Sequence, residues 1–203
     1  MTDDIMTDVQ ETAAQAEPPL NLGSCILRRP EIANVVQSTM RHFDADRYYL
    51  LAWCVMPNHV HVVFSPLGTW DLSRILHSWK SFSSNQINKI LARRGTLWER
   101  ESFDHLIRSI EHCERFVEYI EGNPVAAGLC QEPAQWPFGS AAARIAGWKH
   151  APQWEFTNPR TTPIAPLRSR GELPHLEKEL ATYFVTWRLL DAVVLNKDAR
   201  GQV

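Results

Sequence analysis

Long apolar runs are missing from this chain. No uninterrupted stretch of roughly 18 or more apolar residues occurs, so no membrane-spanning helix is expected. The first twenty residues are acidic and lack an apolar core, so no signal peptide is expected. Cysteine is sparse: Cys25, Cys54, Cys113 and Cys130 fall at no C-x-x-C or zinc-ligand spacing, and free thiols in a reducing cytoplasm are expected. A basic excess is lacking too, with 21 Lys and Arg against 23 Asp and Glu, a net charge of −2. No internal repeat is present, so solenoids and other arrays are excluded.

The charge is unevenly placed. Asp3, Asp4, Asp8, Glu11 and Glu17 lie in the first twenty residues, which contain no Lys or Arg. The body is then mildly basic and holds all eight histidines. Its most basic stretch runs from Arg74 to Arg108 and includes Lys80, Arg93, Arg94, Arg100 and Arg108. A stretch of this kind serves equally as a solvated helix face or as a phosphate-binding surface.

Four units follow from composition: an acidic, flexible tail over 1–22, a core over 23–150, a Pro-, Thr- and Arg-rich linker over 151–174, and a C-terminal strand segment over 175–203. Ile32, Val35, Val36, Met40 and Phe43 have helical spacing after Pro30. Tyr48–Met56 and His59–Ser65 read as strands broken by Pro57-Asn58, an antiparallel hairpin. Leu72, Ile75, Leu76, Trp79, Ile87, Ile90 and Leu91 give a long helix that closes before Gly95. A short strand is expected around Asp104–Ile107, then a helix from Glu111 that stops at Asn123-Pro124. Thr182–Leu189 is β-branched and aromatic enough to form another strand. This order suits an α+β, ferredoxin-like antiparallel sheet with helices on one face.

Two pairs of residues carry candidate chemistry. In His59-Val60-His61 alternate residues of a strand share a face, so both imidazoles project together, half of a metal site. Tyr119 and Asn123 lie one helical turn apart. Each pair alone has an ordinary structural reading, a chance His-x-His in a strand, or a core-margin Tyr with an Asn ending its helix. Together they supply a nucleophile and three metal ligands.

Met56-Pro57-Asn58-His59-Val60-His61 resembles the His-hydrophobe-His (HUH) motif of the single-tyrosine transposases, especially the REP-associated tyrosine transposases. The similarity continues, in order and spacing, through Leu97-Trp98-Glu99, Ser102-Phe103-Asp104-His105, Tyr119-Ile120, Asn123-Pro124-Val125, Ala127-Gly128-Leu129 and Trp136-Pro137. The resemblance implies a metal-dependent single-strand DNA endonuclease and strand transferase that forms a 5′-phosphotyrosine at hairpin-type sites. Tyr119 would be the nucleophile, and His59, His61 and Asn123 would hold Mg²⁺ or Mn²⁺. Lys80, Arg93, Arg94, Arg100 and Arg108 would meet single-stranded or hairpin DNA, in a monomer or homodimer. A catalytically silent DNA-binding protein or repressor is the alternative, and a replication initiator or relaxase fits Asn123-Pro124-Val125 less well. After Trp136-Pro137 the family has Trp-Ser-Ser, where this chain has Phe138-Gly139-Ser140.

In such proteins the sheet begins near the N-terminus, with a Leu-Pro-His segment and a strand. Here Leu173-Pro174-His175 and Tyr183–Leu189 stand at the other end. A circular permutation is expected, the C-terminal strand filling the missing sheet position in cis or by a swap into a dimer partner.

Overall fold

The computed structural model describes residues 25–148 and 181–190, and the backbone of a two-residue strand pair, β4 (Arg168–Ser169) with β5 (Pro174–His175). The proposed tail, most of the linker and residues 191–203 lie outside the described residues. Helix α1 (Pro30–Arg41) starts on Pro30, whose fixed φ and missing N–H suit a first helical position. Strands β1 (Tyr48–Val55) and β2 (His59–Pro66) follow as the expected hairpin, then α2 (Leu72–Ile90), capped by the Asp71 side chain on the Arg74 N–H. Strand β3 (Phe103–Ile107) leads to α3 (Ile110–Ala126), capped by Ser109, and a short α4 (Ser140–Ile145) completes the core.

Strand β6 (Thr182–Arg188) enters the middle of this sheet. The order is β1-β2-β6-β3, and all three pairings are antiparallel. The C-terminal segment therefore supplies a sheet strand in cis, flanked by His59–Phe64 on one side and Phe103–Ile107 on the other.

The helices do not share one face, a correction to the one-sided arrangement expected from the element order. Tyr48, Leu50, Trp53, Val60, Val62, Phe64, Tyr183, Val185 and Trp187 point to α1 and α2. Ala52, Cys54, Val63, Ile107 and Phe184 point the other way, where Cys113, Phe116 and Ile120 of α3 cover them. The physical reason is that β1, β2 and β6 are apolar on both sides, as strands buried on two faces must be.

Helix α3 also runs past its expected stop. Pro124 removes one intrahelical donor, yet the helix continues to Ala126. It closes where Gly128, at φ +68, takes the left-handed conformation and the Leu129 N–H bonds to the Pro124 carbonyl at 2.8 Å.

Trp187 is 2% exposed and stacks on Trp79, at 5.9 Å between ring centroids. Trp187→Ala is expected to cost about 3–5 kcal/mol, read by urea unfolding. Deleting residues 176–203 should abolish cooperative melting, because it opens the centre of the sheet and exposes two strand edges. A cooperative, monomeric truncated chain would show instead that β6 is dispensable.

Candidate active site

The β2–β6 register builds the site. His59 stands opposite Arg188, and His61 opposite Thr186, so all four side chains leave the sheet on the α3 face. His59 and His61 are 9% and 4% exposed, and their Nε2 atoms face each other at 2.9 Å. The outer ring nitrogens are held: His59 Nδ1 lies 2.7 Å from Asn58 Oδ1, and His61 Nδ1 lies 2.7 Å from Thr186 Oγ1. From α3, Asn123 brings its amide to 3.3 Å from His61 Nε2. One turn earlier Tyr119 sets its ring edge-on to His61, with centroids 5.7 Å apart. The two residue pairs singled out in the sequence thus meet.

The other tyrosines are placed differently. Burial pushes the Tyr48 hydroxyl up to about 12, and it sits among α1 and α2, donating to the Met40 carbonyl. Tyr183 lies in that same cluster, and Tyr49 packs at the margin of the α3 cluster.

Burial also holds both histidines neutral. It lowers His59 to about 4, with a further push from the Arg188 charge, and lowers His61 well below its ordinary range through burial, His59 and Arg188. Neutral imidazole is the metal-ligating form. The contacts allow two proton arrangements. In one, the Thr186 hydroxyl donates to His61 Nδ1, His61 Nε2–H donates to His59 Nε2, and His59 Nδ1–H donates to Asn58. In the other, Thr186 accepts from His61 Nδ1–H, and both Nε2 atoms carry lone pairs, that of His61 within reach of the Asn123 amide N–H. Thr186 and Asn58 therefore set the imidazoles, as partners behind metal-ligating histidines do.

The donor set fits a hard divalent cation in part. The 2.9 Å between the Nε2 atoms is close to the ~3 Å edge spanned by adjacent ligands ~2.1 Å from one octahedral ion. Among the described residues no group of three or more His, Cys, Asp or Glu side chains comes together. Among the described residues, two imidazoles and the Asn123 amide are the donors that a cation there would meet, and its other positions would fall to water and substrate oxygens.

Helix α3 is fixed from behind the site. Glu121, between Tyr119 and Asn123, accepts from Ser140 Oγ at 2.5 Å and pairs with Arg144 of α4. Ser140, fully buried, in turn accepts from the Trp53 N–H of β1 at 3.2 Å. Ser140 is the serine that follows Phe138-Gly139, so the departure from the family pattern keeps a hydroxyl where the helix is anchored.

Of the basic residues, Lys80 lies on α2, Arg93, Arg94 and Arg100 lie between α2 and β3, and Arg108 follows β3. Lys80 donates to the backbone carbonyls of Glu99, Arg100 and Glu101 at 3.2, 3.3 and 3.1 Å, stapling that loop to α2. Arg93 donates to the Thr96 carbonyl at 3.0 Å, and Arg94, Arg100 and Arg108 are exposed. The groove of about 820 Å³ beside Lys80, between α2 and residues 95–102, includes none of His59, His61, Tyr119 or Asn123.

Asn58, Thr186 and Arg188 had no role assigned from sequence. Their signal was slight: the polar alternation Thr186, Arg188 on an otherwise apolar strand, and an Asn directly before His59.

Residues 27–123 match the family model described as "Transposase IS200 like". The chain is 26% identical over 133 residues to a REP-associated tyrosine transposase of Escherichia coli (strain K12), covering 63% of this chain and 78% of that protein. It is 23% identical over 123 residues to a putative REP-associated tyrosine transposase of Haemophilus influenzae, covering 54% and 66%. No solved structure gives a significant match. The family match ends on Asn123, so it spans His59, His61 and Tyr119 but not β6.

Because His59 is protonated near 6.5 when unfolded and only near 4 when folded, the unfolded chain binds more protons between those values. In chelator, this contribution to stability is full above about 6.5 and declines as pH falls toward about 4. His59→Gln should flatten that decline in urea titrations; an unchanged slope would place the titration elsewhere. Glu121→Ala should lower the melting temperature, since it leaves Ser140 and Arg144 without their acceptor, typically costing ~1–3 kcal/mol.

Proposed function

We propose that this chain, which carries an IS200-like transposase region and resembles the REP-associated tyrosine transposases, cleaves and rejoins one DNA strand through Tyr119. The observation that supports this most is the meeting of Tyr119 and Asn123 of α3 with the neutral, oriented pair His59 and His61. The substrate is single-stranded DNA flanking a hairpin. A strand paired along its length would block a phosphate from reaching a tyrosine that lies on a helix against the sheet.

In the forward step the Tyr119 hydroxyl oxygen bonds to the scissile phosphorus and the P–O3′ bond breaks. Tyr119 loses its proton, and the leaving 3′-oxygen takes one up. The bond energy is kept in a 5′-phosphotyrosine, so rejoining needs no nucleotide cofactor. The reverse attack by a 3′-hydroxyl restores the tyrosine and the phosphodiester. A divalent cation, Mg²⁺ or Mn²⁺, held by His59, His61 and Asn123 would polarise the non-bridging oxygens and stabilise their developing charge. Asn58 and Thr186 keep the two imidazoles turned toward that position. Phe184, which stacks near His61 at 5.8 Å between centroids, excludes water from their flank.

The test is a denaturant-stable adduct between the protein and a labelled single-stranded hairpin oligonucleotide in Mn²⁺. Tyr119→Phe should lose the adduct and retain DNA binding, because the ring still packs against His61. Chelation should stop the reaction and Mn²⁺ restore it, with His61→Ala inactive and Asn123→Ala weakened less, since water can replace an amide. Wild-type adduct yield from Tyr119→Phe would remove Tyr119 from the chemistry, and efficient cutting of fully paired linear DNA would indicate another class of nuclease.

A further inference from the structure

Arg188 ends β6 on the catalytic face, and nothing in the family motifs above assigns it a task. We propose that its guanidinium binds the scissile phosphodiester and stabilises the charge that develops on it. This rests on the function proposed above and names a further group that would touch the reacting phosphate.

The placement is fixed by the sheet. Arg188 is the register partner of His59. Directly opposed residues of an antiparallel pair share a face, with Cβ atoms about 4.5–5.5 Å apart. Thr186, two residues earlier and therefore on the same face, bonds to His61. The Arg188 backbone is pinned as well: its carbonyl accepts from the Glu99 N–H at 2.9 Å, and the next residue, Leu189, donates to the Asn58 carbonyl at 3.0 Å. The same turn that carries the His59 orienter thus holds the root of this arginine.

Its charge has no carboxylate to answer it among the described residues. The ion pairs there are Arg29–Glu31, Arg47–Asp46 and Arg144–Glu121. Glu121, the acid nearest in sequence to Tyr119 on the inner side of α3, is already taken by Ser140 and Arg144. Asp104 of β3 stands opposite Val185, on the α1/α2 face. Glu99 and Glu101 act on Lys80, beside α2. Arg188 is half-buried, so its charge is only partly screened by water. A half-buried guanidinium with no acid partner among the described residues, beside two neutral imidazoles, is a site for an anion. The anion its neighbours would handle is a phosphodiester, whose geometry suits the planar fork of an arginine.

The consequence is a division of labour. Tyr119 and Asn123 approach from the helix side of the phosphate, and Arg188 approaches from the end of β6 beyond His59. A donor aimed at developing charge acts mainly in the transition state, so its removal should lower the rate at saturating DNA more than the affinity.

Two measurements on the full chain test this. Adduct formation is followed with the hairpin oligonucleotide, carrying either a normal scissile phosphate or an uncharged methylphosphonate there. Arg188→Gln should slow the normal substrate about 10²-fold or more at saturation. It should have a much smaller effect on the methylphosphonate, which lacks the charge to be stabilised. Arg188→Lys should recover part of the rate. Equal losses on both substrates, or none on either, would overturn the proposal. Binding of dT20 needs no chemistry: the slope of log Kd against log salt should fall by about 0.7 in Arg188→Gln, one phosphate contact on a single strand. An unchanged slope would contradict any phosphate contact by Arg188. A wild-type chain that binds dT20 with the larger slope yet forms no adduct would defeat the strand-cleavage reading and leave Arg188 as an anion site.

Discussion

The pairing of β2 with β6 carries more of this molecule than any other contact, because one strand register sets both the core and the chemistry. Val60 opposite Trp187 and Val62 opposite Val185 fill the layer beneath α1 and α2. On the reverse side the same register sets His61 opposite Thr186 and His59 opposite Arg188. A slip of one residue would turn every one of these side chains to the wrong face. The apolar residues of β2 and β6 therefore hold the imidazoles in position as well as stabilising the sheet. The strand that orients His61 arrives from 125 residues away in the chain.

Burial on both faces has an electrostatic consequence. A sheet with helices on each side is dry, and dry surroundings disfavour a charged imidazole. His59 and His61 are thereby kept neutral, and their contacts with Asn58 and Thr186 decide which nitrogen faces inward. Helix α3 brings Tyr119 and Asn123 over this pair, held by the Glu121, Ser140 and Trp53 chain that ties it to α4 and β1. The relatives in Escherichia coli and Haemophilus influenzae are named for transposition, and the strand-cleavage reading proposed above draws on that likeness.

Much of this was legible in the residues alone. Periodicity placed α1, the hairpin and α2 within a residue or two of their observed ends, because their apolar stripes are long and uninterrupted. Val185 and Trp187, alternating with Phe184 and Thr186, marked the last strand, and its polar Thr186 and Arg188 share a face with His61 and His59. Other features depend on tertiary context and could not be read locally. Pro124 looks like a stop, but a proline near a helix end removes a single bond, and the turn after it is closed at Gly128. The division of helices between two faces depends on how strands far apart in sequence join. Lys80 looked like a DNA contact in a basic stretch, yet its three donors meet three carbonyls of the loop before β3. Nothing in a charge count separates a lysine that staples a loop from one that meets a phosphate.

The central claim is that this arrangement is a divalent-cation site organised by the C-terminal strand, with Tyr119 beside it. Anomalous scattering from Mn²⁺ soaked into crystals of the full chain tests it most directly. The account predicts one strong peak between His59 Nε2, His61 Nε2 and the Asn123 amide, lost when Thr186 is changed to valine or His61 to alanine. A peak at other residues, with the two imidazoles still hydrogen-bonded to each other, would contradict it.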